Sequence, residues 1–240
     1  MSHIAYKSLD EIPNSINNSI TYIPPSCFVN RRDLVDISVP NYITDICGCA
    51  FENCRELRHI KIPDSVKKIG DYAFLWCHKL ETIVLPQNLD EIRMKLFADC
   101  RSLRFIRLPE TIVSIGEHSF ACCASLEFVY IPDRVRHIHK GAFQTCINLK
   151  TTSISNYIQS VYPDAFSGCT SLNTVYLRRS GIIFGAPDRP RKDLLTVNTN
   201  GVIVFDCFVS TLLTLCDKYE IDDGISIATD CIWPYLSDIL

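Results

Sequence analysis

Phenylalanine stands at positions 28, 51, 74, 97, 120, 143 and 166, and every interval is 23 residues. A period kept without insertion or deletion leaves few choices: each copy is one structural unit, and neighbouring units must stack. Other columns keep the same register. Leucine lies six residues after each phenylalanine, from Leu34 to Leu172, and an aliphatic residue lies eleven after, from Val39 to Leu177. Proline follows that residue in five copies, at Pro40, Pro63, Pro86, Pro109 and Pro132, with Ser155 and Arg178 in the last two. Eighteen residues after each phenylalanine come Ile46, Ile69, Ile92, Ile115, Ile138, Val161 and Phe184. Cysteine lies three after in six copies, from Cys54 to Cys169, and Arg31 takes its place in the first.

One 23-residue unit cannot bury its apolar face alone, but stacked copies cover one another. His59-Ile60-Lys61-Ile62 alternates polar and apolar, the period of a strand with one buried face. Pro63 ends that strand because it has no N–H to donate. A second arc, Val66-Lys67-Lys68-Ile69, places an apolar residue at every third position, and a tight turn leads on to Ala73-Phe74. So short a unit has little room for a full helix, which predicts short strands and single helical turns.

Hydrophobic residues make up 47% of the 240, enough for a substantial core. Charged residues are 21% and the net charge is -3, which argues against both a disordered chain and a nucleic-acid-binding one. No apolar run approaches a membrane span. Residues 1–18 have no apolar core behind a basic start, so a cytoplasmic location is expected.

The thirteen cysteines do not read as a disulfide framework: the number is odd, and most fall in the repeat column. Side chains in register point the same way, whereas a disulfide needs a particular torsion, so free thiols in a buried column are expected. Phosphate-binding loops, His-Glu-x-x-His and Gly-x-Ser-x-Gly are missing from the sequence, and no cofactor is expected. Two clusters raise metal binding as an alternative: Cys47-Gly48-Cys49 near Cys54, and His137-Ile138-His139 near Cys122, Cys123 and Cys146. Neither has zinc-finger spacing, and His137 and His139 should point outward, away from Cys146.

Ile69-Gly70-Asp71-Tyr72-Ala73-Phe74-Leu75-Trp76-Cys77, preceded by the leucine, isoleucine, leucine and proline columns, resembles the BspA-type (Treponema pallidum type) leucine-rich repeats. The resemblance covers roughly 20–184. It implies a leucine-rich-repeat solenoid of seven 23-residue turns, mainly β, with short parallel strands. It also implies a surface adhesin or an interaction scaffold, although the fold serves unrelated tasks as well; the missing catalytic motifs argue against an enzyme.

The outward strand positions are the natural place for a partner. They lie eight and ten residues after each phenylalanine, and they run through Asp36 and Ser38, His59 and Lys61, Thr82 and Val84, Phe105 and Arg107, Phe128 and Tyr130, Thr151 and Ser153, and Thr174 and Tyr176. Val84, Phe105, Phe128 and Tyr130, with Arg107 beside them, form an aromatic centre of the kind found in binding hot spots. His59, Lys61 and Tyr176 join them as candidates in a more polar rim. The expected function is therefore a non-catalytic module binding a protein partner on the concave parallel sheet. A cell-surface adhesin for host or matrix proteins is one alternative, and a metal-binding or enzymatic protein using the His137/Cys122 region is the other.

Residues 1–19 are expected to form an N-terminal cap, 20–184 the solenoid, and 185–240 a loop and a C-terminal capping segment. Arg178-Arg179 and Arg189-Pro190-Arg191-Lys192 read as basic stretches of solvated loop. Residues 202–205 read as a strand, and Asp206 as the cap of a helix running to Tyr219.

Overall fold

The computed structural model describes residues 21–155, 157–162, 164–172, 174–178 and 203–207. The proposed caps, the basic loop around 189–192 and the helix after Asp206 lie outside these residues, apart from 203–207.

Most turns contribute one longer and one shorter strand. In chain order they are β1 (Tyr22–Ile23), β2 (Asp36–Ser38), β3 (Asp45–Ile46), β4 (His59–Lys61), β5 (Lys68–Ile69), β6 (Thr82–Val84) and β7 (Glu91–Ile92). Then follow β8 (Ser114–Ile115), β9 (Phe128–Tyr130), β10 (His137–Ile138), β11 (Thr151–Ser155), β12 (Ser160–Val161), β13 (Thr174–Arg178) and β14 (Ile203–Cys207). The described residues contain no helix. Where single helical turns were expected, the arcs instead make i to i+3 hydrogen bonds, as from Val66 N–H to Pro63 C=O at 3.0 Å.

All pairing is parallel, and within the repeat residue i faces residue i+23. Asp36 is level with His59 and His59 with Thr82; Phe128 is level with Thr151 and Thr151 with Thr174. These strands form the main sheet. It has two parts, β2-β4-β6 and β9-β11-β13-β14, with Phe105-Ile106-Arg107 in no strand between them. The shorter strands form a second sheet, also in two parts, β1-β3-β5 and β7-β8-β10-β12. β14 pairs with β13, bringing Ile203 level with Thr174. The strand expected at 202–205 therefore exists but runs further, and Asp206 lies inside it rather than capping a helix.

The core is a set of columns. The seven phenylalanines are all buried. Their rings stack at centroid spacings of 5.1 to 5.7 Å, close to the rise between neighbouring strands. Beside them the cysteine thiols form a second column. Cys54 donates to the Phe28 carbonyl at 3.0 Å, Cys77 to Phe51 at 3.2 Å and Cys100 to Phe74 at 3.2 Å. Cys123, Cys146 and Cys169 continue the pattern onto Phe97, Phe120 and Phe143. Each thiol thus fills a small apolar space and gives a buried carbonyl a weak donor, which explains the periodicity without any bridge or metal. The ten cysteines whose side chains are described are free thiols.

The corners around each phenylalanine carry the tightest backbone. Residues two before and two after it take positive φ, including Tyr72 and Trp76 at 62° and Thr145 at 58°. Bulky and β-branched residues pay about 1–2 kcal/mol each for this conformation. It aims their N–H groups at the next turn: Tyr72 donates to Met94 C=O at 3.0 Å and Trp76 to Ala98 C=O at 2.9 Å. This corner ladder runs unbroken across the Phe74–Phe97 interval, which has the widest ring spacing, 5.7 Å, and where both sheets are interrupted.

Candidate protein-binding surface

Inward residues of the main sheet, Ile60, Ile83, Ile106, Val129 and Val175, are buried. This alternation turns the positions on either side of them outward. The result is two unlike surfaces on one sheet.

The first spans β2, β4 and β6 and is open. His59 and Lys61 are exposed, and Val84 is 48% exposed. Asp36, Ser38, His59, Lys61, Thr82 and Val84 line a shallow hollow of about 350 Å³ over Ile37 and Ile60. Within it the His59 ring Nδ1 lies 2.8 Å from Thr82 Oγ1, and its Nε2 lies 3.9 Å from Asp36 Oδ1.

The second surface spans turns four to six. Phe105, Arg107, Phe128 and Tyr130 are half-buried there. The register makes Phe128 and Tyr130 neighbours of Thr151 and Ser153. Those two side chains, expected in a polar rim, are instead buried at 7% and 0% exposure. Their hydroxyls have no hydrogen-bond partner among the described residues. The strand expected at 105–107 is not formed. Tyr176 takes its place in β13, and its side chain lies outside the described part.

A further column, of charged residues, borders both surfaces. Seven residues after the five phenylalanines from Phe51 to Phe143 stand Arg58, Glu81, Arg104, Glu127 and Lys150, alternating in charge from turn to turn. Arg58 pairs with Glu81, Arg104 with Glu127 at 2.9 Å, and Lys150 with Glu127 at 2.9 Å. The hydrogen bond from Lys150, then that from Arg104, holds the Glu127 carboxyl below its usual range. The Arg104 guanidinium also lies 5.5 Å from the Phe105 ring centroid, so this edge fixes the side of the aromatic group. The alternating signs were readable at the 23-residue period.

The His137/Cys122 region is organised differently. His137 Nδ1 meets Ser160 Oγ at 2.9 Å, and His139 Nε2 meets Ser114 Oγ at 3.1 Å, while His139 stacks on Tyr162. Both imidazoles thus face neighbouring turns of the second sheet, outward as expected. Cys123 and Cys146 face inward onto Phe97 and Phe120. Among the described residues no group of three or more His, Cys, Asp or Glu side chains could hold a metal ion. Burial pushes the Cys54 thiol up to about 12 and the Cys77 and Cys100 thiols well above the ordinary range, so they are poor nucleophiles and poor ligands. No helix among the described residues is long and apolar enough to cross a membrane.

The comparison with known proteins agrees with this architecture. The model of the BspA type leucine rich repeat region matches six copies, over residues 5–120 and 67–185. A leucine-rich repeat protein of Bacteroides ovatus is 31% identical over 60% of this chain, with a TM-score of 0.57; the match spans only 42% of that protein. The leucine rich repeat protein of T. pallidum is 28% identical over 70% of this chain and 85% of its own, with a TM-score of 0.58. No curated protein sequence matches the chain at a significant level. Leucine-rich-repeat folds generally serve protein–protein recognition or surface adhesion. With its 23-residue period, parallel strands and matched repeats together, the chain belongs to the BspA type leucine rich repeat family.

Proposed function

We propose that the chain is a non-catalytic protein-interaction module whose partner lies across the outward face of the main sheet. The partner would contact Val84, Phe105, Arg107, Phe128 and Tyr130, with His59, Lys61 and Tyr176 at the margins. One observation carries the reading. Stacking fixes only the inward columns, yet the outward columns gather aromatic residues in two adjacent turns beside an open hollow. A side chain that the fold does not need in the core, placed next to its like on a surface, is how binding hot spots are built.

Affinity capture with the native chain and with the Phe105→Ser, Phe128→Ser, Tyr130→Ser triple variant tests the proposal, once circular dichroism shows that the variant is folded. A protein retained by the native chain alone should then bind it in purified form at least tenfold more tightly than it binds the variant. Equal affinity for both would remove the main sheet as the binding surface.

A further inference from the structure

We infer that the hollow over β2, β4 and β6 is a carboxylate subsite, so that the partner presents an extended acidic–apolar peptide segment running along the solenoid axis. This inference rests on the main-sheet reading above and specifies its ligand.

Charge is the first argument. Acidic residues exceed basic ones in the chain, 27 against 24. The segments from each phenylalanine through the tenth residue after it, which include the main sheet, reverse that balance with ten Lys and Arg against seven Asp and Glu. The remaining segments of the first six turns carry seven against nine. Among the outward positions themselves Lys61 and Arg107 stand against the single carboxylate Asp36, a small positive excess that favours an acidic partner.

The hollow supplies the second argument. Its cation is Lys61, which is exposed and not in an ion pair among the described residues. The hydroxyls of Ser38 and Thr82 line the same space, and Ile37 and Ile60 form its floor. Asp36 stands at the end away from the aromatic group and repels a carboxylate placed there. The partner's acidic side chain therefore sits at Lys61, and its chain runs on over Val84 toward Phe105 and Phe128.

Spacing gives the third argument. Lys61, Phe105 and Phe128 lie in turns two, four and five. At roughly 4.8 Å per turn, the acidic and apolar ends of the segment are about 10–14 Å apart. An extended peptide covers that distance in about three to four residues.

Fluorescein-labelled Gly-Asp-Ser-Gly-Phe-Gly-Ser, in which Asp and Phe are three residues apart, tests this by fluorescence anisotropy against the full chain. Control peptides carry Asn or Lys in place of Asp. The Asp peptide should bind at least about tenfold more tightly than the Asn peptide. The Lys61→Glu variant should lose that preference and favour the Lys peptide, and salt should weaken the native preference. Equal binding of the Asp and Asn peptides, an unchanged preference in Lys61→Glu, or no binding of any peptide up to about 1 mM overturns the inference. The Phe105→Ser, Phe128→Ser, Tyr130→Ser variant separates the two readings. If it weakens the Asp and Asn peptides alike while the native chain shows no charge preference, the main-sheet surface stands and the carboxylate subsite fails. If it binds every peptide as the native chain does, the main-sheet surface fails as well.

Discussion

The two parts of the main sheet stand on the same inward columns but face outward quite differently. Over β2, β4 and β6 the outward side chains are polar apart from Val84 and mostly exposed, and His59 is joined to Thr82 of the next turn. Over turns four and five they are aromatic and half-buried, and over turn six Thr151 and Ser153 are closed off altogether. Inward, both parts present the same phenylalanine, cysteine and leucine columns, all buried past the first turn. The fold is therefore indifferent to what the outward columns contain. Their difference is a property of the surface, which is where recognition is decided in a stacked repeat.

That separation can be broken most forcefully from the inside. Phe97→Ala removes a fully buried ring that stacks at 5.7 Å on Phe74 and 5.4 Å on Phe120. Urea unfolding should show a loss of about 3–5 kcal/mol. The outward Val84→Ser, at 48% exposure, should stay within about 0.5 kcal/mol. Comparable losses for the two would mean that outward residues also hold the turns together.

The inward columns were legible because each is a strict consequence of stacking. Once Phe28 to Phe166 are seen at one interval, the buried leucines, the thiol column and the alternation around Ile60 follow from the need of each turn to cover the next. What was not legible depends on distances between turns. Nothing in Phe105-Ile106-Arg107 announces that the sheet is interrupted there, since its alternation is that of a strand. The burial of Ser153 is equally invisible, because an outward position says nothing about what lies beyond it. Corner residues were legible in part: Asn30, Asn53 and Asp99 tolerate positive φ, but Tyr72, Trp76 and Thr145 do not advertise it. The charged border from Arg58 to Lys150 is legible as well, since its signs alternate at the same 23-residue interval.

A smaller effect comes from the thiol column. Cys54 is raised from 9.0 to about 12 in the folded chain, mainly by burial. The unfolded chain releases that proton first as pH rises, so the folded state loses stability from about pH 9 up to the folded value. Each such thiol should cost about 1.4 kcal/mol on going from pH 9 to pH 10 or a little above. Cys54→Ala should be less stable than the native chain at pH 7, yet its urea midpoint should fall less steeply between pH 8 and pH 10. Parallel pH profiles would show that the Cys54 thiol does not contribute to the alkaline loss.

The smallest predicted effect returns to the two outward surfaces. Ser38 and Ser153 occupy the same column, ten residues after Phe28 and Phe143. Ser38 is exposed, so its hydroxyl keeps its water in the folded state and Ser38→Ala should be neutral within about 0.5 kcal/mol. Ser153 is fully buried, so folding strips its hydroxyl of water, and none of the described residues offers that group a hydrogen-bond partner in exchange. Removing it in Ser153→Ala should raise stability by about 1 kcal/mol. The same substitution in the same column would then have two outcomes, set only by what covers each position. If Ser153→Ala is as neutral as Ser38→Ala, water reaches Ser153, and turn six belongs with the open surface rather than the closed one.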